Sequence, residues 1–360
     1  MTILLAGGGT AGHVNPLLAV ADALRELDAD TEILVVGTRE GLEYRLVPER
    51  GYELAIIPKL PFPRRPNAQA VTFLPRLRAT VKQLRALMGK RDVDAVAGFG
   101  GFAAAPAYLA AKGRVPLIIH EANAKPGLAN RLGARWAQHV AVTFPNTKLG
   151  NAEVTGMPMR REIERLDREA SRAEAIAAFG LDAGKPTLLV TGGSQGAKRL
   201  NDTIRALGPD LVAKGWQLVH VVGRLSPFDD PKIPGYHVVE YCDRMDLAFA
   251  AADFVVSRAG ASTASELMAV GLPTLFIPYP VGNGEQAVNI ASFVAADAAM
   301  VVRDGEFTPE WGRAELLPLL EDSERLAAMA ERAKTHGVRD GAKRVAELIL
   351  AARDASRATA

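Results

Sequence analysis

The sequence contains a single cysteine, Cys242, so no disulfide framework is possible and a reducing compartment is expected. Aromatic residues make up only 6% of the chain and the formal net charge is only +2, which gives no reason to expect nucleic acid as a partner. Long hydrophobic runs are missing too. The apolar stretch Phe102–Ala111 is broken by Pro106 and falls far short of a membrane span. The first apolar run meets glycine after five or six residues, which reads as a strand and not as the apolar region of a signal peptide. The six histidines (His13, His120, His139, His220, His237 and His336) show no paired ligand spacing, so no metal and no cofactor are expected. A G-x-S-x-G elbow and the Lys of a P-loop are likewise absent, leaving serine hydrolysis and nucleoside triphosphate hydrolysis unsupported.

What the 360 residues do contain is a regular alternation of short apolar runs with helical patterns, the signature of parallel sheets with crossover helices. Strands are predicted near Ile3–Ala6, Glu32–Val36, Leu54–Ile57, Ala95–Ala97, Leu117–Ile119 and Val140–Val142. The pattern breaks around Gly156–Arg160, after which a charged helix of roughly 15 residues is expected. Strands resume at Thr187–Val190, Leu218–Val222, Val238–Glu240, Phe254–Ser257, Thr274–Ile277 and Met300–Val302. Two successive α/β domains follow, 1–157 and 158–360, with the last helix able to pack back on the first domain. Each domain opens with a strand, a Gly-rich turn and a helix, and a ligand would bind where the strands' carboxyl ends face a central cleft. Residues 356–360 are expected to fray.

Four stretches carry the chemistry. Gly7-Gly8-Gly9-Thr10-Ala11-Gly12-His13 satisfies G-x-G-x-x-G, yet the second strand ends Val36-Gly37-Thr38-Arg39, with no carboxylate before Glu40 to hold a dinucleotide's ribose. His13, at the helix start, is placed where the helix dipole disfavours imidazolium and leaves a neutral imidazole as a base. His120-Glu121-Ala122-Asn123 puts three polar side chains at a strand's carboxyl end. Gly192-Gly193-Ser194-Gln195-Gly196 has the composition to cradle a diphosphate through amides and the Ser194 hydroxyl. Finally, Ser257–Leu267 combines small residues with Glu266, whose two oxygens suit a ribose, and Glu285 and Gln286 open a further helix with groups suited to sugar hydroxyls.

Taken in order, Gly-Gly-Thr-Ala-Gly-His, His-Glu-x-Asn at 120–123, Gly-x-Pro-x-Arg at 156–160, Gly-Gly-Ser-Gln-Gly-Ala at 192–197 and the Glu266 to Pro273 region resemble the MurG family of N-acetylglucosaminyltransferases, from about residue 2 to about residue 350. The resemblance implies two Rossmann-like domains in a glycosyltransferase B-type fold. It also implies inverting transfer of N-acetylglucosamine from UDP-N-acetylglucosamine to the 4-hydroxyl of undecaprenyl-diphospho-N-acetylmuramoyl-pentapeptide, the step from lipid I to lipid II in peptidoglycan synthesis. Thr10, Ala11 and Gly12 would contact the sugar or diphosphate, and Asn123 the N-acetylglucosamine. Arg160 and Ser194 would hold the diphosphate. Ala261, Ser262, Thr263, Ala264, Ser265 and Glu266 would cradle phosphate and ribose, Gln286 would bond the sugar, and backbone at Cys242 would read the uracil. His13 is the expected general base, with Glu121 as alternative or electrostatic partner. The chain departs from the family at Ala11, where Gly is usual, at Ala122, where Gln is usual, and at Cys242, where an aliphatic residue is usual.

The implied acceptor carries a lipid. Between Phe62 and Arg91 stand eight basic residues (Arg64, Arg65, Arg76, Arg78, Lys82, Arg85, Lys90, Arg91) and no acid, interleaved with Val71, Phe73, Leu74, Leu77, Leu84, Leu87 and Met88. Such a segment suits an anionic membrane surface, or a helix packing its Leu face on the sheet, or both. The expected place is peripheral, on the cytoplasmic face of the bacterial plasma membrane. A nicotinamide dehydrogenase would leave the second Gly-rich turn unexplained. A UDP-N-acetylglucosamine 2-epimerase, another B-type glycosyltransferase and a non-catalytic sugar-nucleotide binder remain as alternatives.

Overall fold

The computed structural model describes residues 1–62, 68–281 and 284–358. The chain divides into two compact units, Met1–Arg160 with Asp340–Ala360, and Arg161–Arg339.

Unit 1 is built on seven strands: β1 (Thr2–Ala6), β2 (Glu32–Gly37), β3 (Glu53–Ile56), β4 (Val93–Gly98), β5 (Leu117–Glu121), β6 (His139–Val142) and β7 (Ala152–Val154). They lie in the order β3-β2-β1-β4-β5-β6-β7, every pair parallel. Its helices include α1 (Ala11–Leu27), α2 (Glu43–Glu49), α3 (Ala68–Lys90), α4 (Ala104–Ala111) and α5 (Leu128–Gly133). A parallel sheet covered on both faces needs apolar residues on both, and β1 shows it. Ile3 and Leu5 join a core with α1, whereas Leu4 and Ala6 point the other way into a core with Leu84, Met88 and Tyr108. The C-terminal helix, Gly341–Ala358, adds Val345, Ala346 and Ile349 to the α1 face. Arg353 reaches Asp28 at 3.0 Å and Arg357 reaches Asp94 at 2.7 Å, tying that helix down.

Unit 2 starts with α6 (Arg161–Glu164) and α7 (Arg168–Phe179) in place of the single charged helix expected there. The break is local chemistry: Asp167 leaves helical geometry and its carboxylate caps α7 by accepting the Ala170 amide at 3.0 Å. The sheet comprises β8 (Thr187–Thr191), β9 (Gln217–Val221), β10 (Tyr236–Val239), β11 (Phe254–Ser257), β12 (Thr274–Phe276) and β13 (Ala299–Val301), in the order β10-β9-β8-β11-β12-β13. Helices α8 (Lys198–Ala213), α9 (Met245–Ala251), α10 (Ala261–Ala269) and α11 (Glu285–Asn289) connect them.

In each sheet the strand order reverses beside the first strand, between β1 and β4 and between β8 and β11. The crevice at a parallel sheet's carboxyl edge opens at such a reversal, where neighbouring connections leave to opposite faces. Both Gly-rich turns, 7–12 and 192–197, leave from the strands at these points.

Candidate active site

In unit 1 the first turn delivers His13 to the opening turn of α1. Thr10 is the N-cap residue, its carbonyl accepting the amides of His13 and Val14 at 3.1 Å each. Its hydroxyl lies 3.3 Å from His13 Nδ1, which sets the imidazole against the helix start. Thr10 and Ala11 are exposed, Gly12 and His13 half-buried. The turn after β4 packs on this one: a Cβ on Gly100 would come within 3.2 Å of the His13 ring and 3.5 Å of Asn130 Nδ2.

Through Asn130 the contact reaches Glu121, which is 3% exposed. The Glu121 carboxylate accepts the Asn123 amide at 2.9 Å on one oxygen. On the other it accepts the Gly127 amide and Asn130 Nδ2, both at 2.9 Å. Tyr108 in turn donates to Asn130 Oδ1 at 2.7 Å. A carboxylate held by three N–H groups is a fixed scaffold for the 121–130 loop. Its neighbour His120 is buried, with Nε2–H donating to the Gly156 carbonyl at 3.1 Å, and burial lowers its pKa to about 4. Asn123 is half-buried on the same loop, and Arg160, also half-buried, keeps its Nε buried without a hydrogen-bond partner.

Unit 2 gathers three segments. Ser194, exposed in the second Gly-rich turn, uses its carbonyl to accept the Arg224 amide at 3.1 Å. Beneath that turn Asn201 donates to the Val222 carbonyl at 2.9 Å and to Ser226 Oγ at 3.0 Å. The oxygen of Asn201 accepts from His220 Nε2–H at 3.0 Å, and His220 Nδ1 accepts the Tyr236 hydroxyl at 2.7 Å. This buried chain of polar groups holds the floor of the turn.

Two helices start at this edge, α8 after Ala197 and α10 after Gly260, neither with a side-chain cap nor an acid in its first turn. Their first amides are therefore given no acceptor by an N-cap side chain, and on α10 Ser262, Thr263 and Glu266 are half-buried and Ala261, Ala264 and Ser265 buried. Gln286 draws the third segment in: its carbonyl oxygen accepts the Tyr279 amide at 2.8 Å and the Ala259 amide at 3.2 Å. Glu285 beside it and Cys242, in the loop between β10 and α9, are half-buried.

Arg258, which the sequence reading left without a role, is 9% exposed and donates to the Ile277 carbonyl at 3.0 Å. It anchors the start of the α10 turn to the end of β12. Its signal in the sequence is slight, a lone Arg closing an apolar strand, which is an expensive place for a charge without a partner. Among the described residues no three His, Cys, Asp or Glu side chains cluster as metal ligands, and no helix is long and apolar enough to cross a membrane.

Residues 3–142 match the glycosyltransferase family 28 N-terminal domain and residues 187–345 the family 28 C-terminal domain. A protein of Clavibacter sepedonicus is 60% identical over 352 residues, 97% of this chain and 96% of the relative. One of Streptomyces coelicolor is 52% identical over 345 residues, covering 94% and 95%. Both are named UDP-N-acetylglucosamine–N-acetylmuramyl-(pentapeptide) pyrophosphoryl-undecaprenol N-acetylglucosamine transferase. The chain belongs to the MurG family. MurG of Acinetobacter baumannii superposes with a TM-score of 0.78 at 27% identity, across 97% of this chain and 99% of that one. The fold alone is shared more widely. A UDP-GlcNAc 2-epimerase from Neisseria meningitidis superposes at a TM-score of 0.67 with 16% identity over 97% of this chain. The MurG fold expected from the motifs, two α/β domains with parallel sheets, is the fold observed.

Proposed function

We propose that this chain transfers N-acetylglucosamine from UDP-N-acetylglucosamine to the 4-hydroxyl of undecaprenyl-diphospho-N-acetylmuramoyl-pentapeptide, yielding lipid II. The observation that carries the reading is 60% identity, across 97% of the chain, to a transferase of that name. Unit 2 is the donor half. The N-termini of α8 and α10, with Ser194, bind the diphosphate, and Ala261 to Ser265 let it approach the backbone; Arg160, the last residue before unit 2, is assigned to the diphosphate as well. Glu266 takes the ribose hydroxyls, and backbone at Cys242 takes the uracil. Gln286, its carbonyl already bonded to backbone, offers Nε2–H to a sugar hydroxyl, with Glu285 beside it.

Unit 1 is the acceptor half and supplies the base, and Asn123 and the Thr10–Gly12 backbone meet the transferred sugar. The His13 tautomer this reading requires donates Nδ1–H to the Thr10 hydroxyl, 3.3 Å away, and carries its lone pair on Nε2. The acceptor oxygen attacks the anomeric carbon as its proton passes to His13. The anomeric C–O bond breaks and its electron pair leaves on the diphosphate, where helix-start amides, Ser194 and Arg160 stabilise it. Attack opposite the leaving group inverts the anomeric centre.

The lipid tail of the acceptor calls for a membrane-facing surface, and α3 has the character of one. Val71 and Leu74 are 78% and 57% exposed and Phe62 is 65% exposed, with Phe62 edge-on to Phe73 at 5.6 Å. Farther along, Leu84 and Met88 pack into the core. Arg76, Arg78 and Lys82 are exposed beside the apolar end and Lys90 is exposed at the opposite end of the helix, whereas Arg91 pairs with Glu53 at 2.6 Å. Arg64 and Arg65 lie outside the described residues. We assign this segment to anionic headgroups at the cytoplasmic face.

The test is incubation of the purified protein with UDP-N-acetylglucosamine and a lipid I analogue. Release of UDP that requires the acceptor is expected. UDP release or N-acetylmannosamine formation without acceptor would turn the assignment to the epimerase.

A further inference from the structure

The second strand lacks the acid that would hold a dinucleotide's ribose, yet a carboxylate does occupy that corner, and it comes from the next helix. Glu43, the first residue of α2, is 1% exposed. One of its oxygens accepts the Gly9 amide at 2.8 Å. The other accepts the Thr38 amide at 2.8 Å and the Thr38 hydroxyl at 2.9 Å. Two turns leaving adjacent strands are thus joined through one side chain. The slot it fills exists because three residues lack side chains. A Cβ at Gly8, Gly37 or Gly41 would stand 2.3, 2.3 or 2.0 Å from atoms of Glu43.

A carboxyl buried to this degree on neutral donors alone is costly to desolvate, but a hydrophobic side chain in its place would leave the Gly9 and Thr38 amides without this acceptor. What the carboxylate supplies is directional: it draws the Gly9 amide inward, off the ligand side of the turn. Gly9, at φ +95°, leads straight into Thr10, whose carbonyl accepts the His13 amide and whose hydroxyl meets the His13 ring. Gly9 is therefore the point at which Glu43 controls the approach to α1.

We propose that Glu43 is a positioning residue for sugar transfer, locking the first Gly-rich turn so that His13 is held at the reacting oxygen and the corner open to a ribose in dinucleotide folds is closed. This rests on His13 acting as the base. Displacement of a catalytic group by about 1 Å lowers turnover about 10²-fold. The conservative change Glu43→Gln keeps the volume but turns an N–H₂ toward N–H donors, and so releases either Gly9 or Thr38.

The experiment measures kcat, KM for UDP-N-acetylglucosamine and amide hydrogen exchange in E43Q, alone and in a His13→Ala background. In E43Q kcat should fall about 10- to 100-fold, the donor KM should move less than about two-fold, and the 7–13 segment should exchange faster. In the H13A background E43Q should remove little further activity, because the turn then has no base to position. Unchanged kcat, or an undiminished loss in the H13A background, overturns the proposal. Should E43Q unfold, Thr38→Val deletes one of the three bonds, and the same split between kcat and KM is expected at smaller size. Its absence there also overturns the proposal. If H13A alone keeps full turnover, it is the base assignment that falls. The exchange of the 7–13 segment in E43Q then decides for or against Glu43 by itself.

Discussion

Asp304 Oδ1 stands 2.6 Å from Nη1 of Arg258 with each side chain only 10% exposed, and its other oxygen lies 3.2 Å from Nε of Arg199. One carboxylate therefore joins the turn that begins α10 to the second residue of α8, the two helices assigned to the donor diphosphate. The contact to Arg258 is Coulombic more than directional, since Oδ1 makes no hydrogen bond. Asp304→Asn keeps the shape and leaves Arg258 buried without a counter-charge. Breaking such a pair destabilises by about 3 kcal/mol or more, and the loosened turns should raise the donor KM more than they lower kcat. Urea unfolding and steady-state kinetics read the two effects. A variant as stable as the parent with an unaltered KM would remove the pair from both roles.

His13→Ala tests the base directly. Turnover should drop by about 10²- to 10⁴-fold, the usual contribution of general base catalysis. UDP binding measured by calorimetry should hardly change, because His13 is not among the residues assigned to the nucleotide or its diphosphate. Full turnover in the variant would exclude His13 as base.

Much of the frame was open to a reading of the residues, and the failures have physical causes. The buried strands announce themselves because parallel sheets need unbroken apolar runs, whereas β7 is a three-residue edge, Ala152-Glu153-Val154, with two exposed side chains and no such run. Asp167 gives no clear signal as a cap because charged residues stand on both sides of it, Arg165 before and Arg168 after. The turns at 7–13 and 192–197 were visible from spacing alone. Glu43, Asp304 and Arg258 were not, since each acts on backbone or charge that is distant in sequence, 34 residues away for Glu43 and Gly9. Gln286 shows the same limit in another form. Its residue type suits a sugar hydroxyl, yet its oxygen is bonded to the backbone of two neighbouring loops.

Buried histidines give the protein an acid limit. Burial lowers the pKa of His120 from 6.5 to about 4 and that of His220 from 6.5 to about 3. Below pH 6.5 the unfolded chain therefore takes up protons that the folded chain refuses. The stability these residues confer is complete above pH 6.5 and is lost as pH falls toward 4 and then 3, about 3 kcal/mol for His120 and about 5 kcal/mol for His220. Urea midpoints between pH 7.5 and 4.5 should decline accordingly. His220→Gln, whatever its absolute stability, should decline less steeply, and a slope parallel to the parent's would contradict the account.

The exposed end of α3 makes the last prediction. Val71 and Leu74 present apolar surface beside Arg76, Arg78 and Lys82, while Leu84 and Met88 secure the helix from its other end. Substitutions at the exposed end should thus spare the fold. Each basic side chain near an anionic surface contributes about 1 kcal/mol, so Arg76→Glu with Arg78→Glu should weaken binding to phosphatidylglycerol vesicles more than 10-fold, and added salt should weaken the parent in the same way. Val71→Glu with Leu74→Glu should weaken it too, but with little salt dependence in what is lost, because that pair acts through burial. Activity on a short-chain, water-soluble acceptor should survive all four changes, since none touches either Gly-rich turn. Vesicle sedimentation at two ionic strengths separates the contributions. Binding unaffected by both double variants would place the membrane contact elsewhere on the protein.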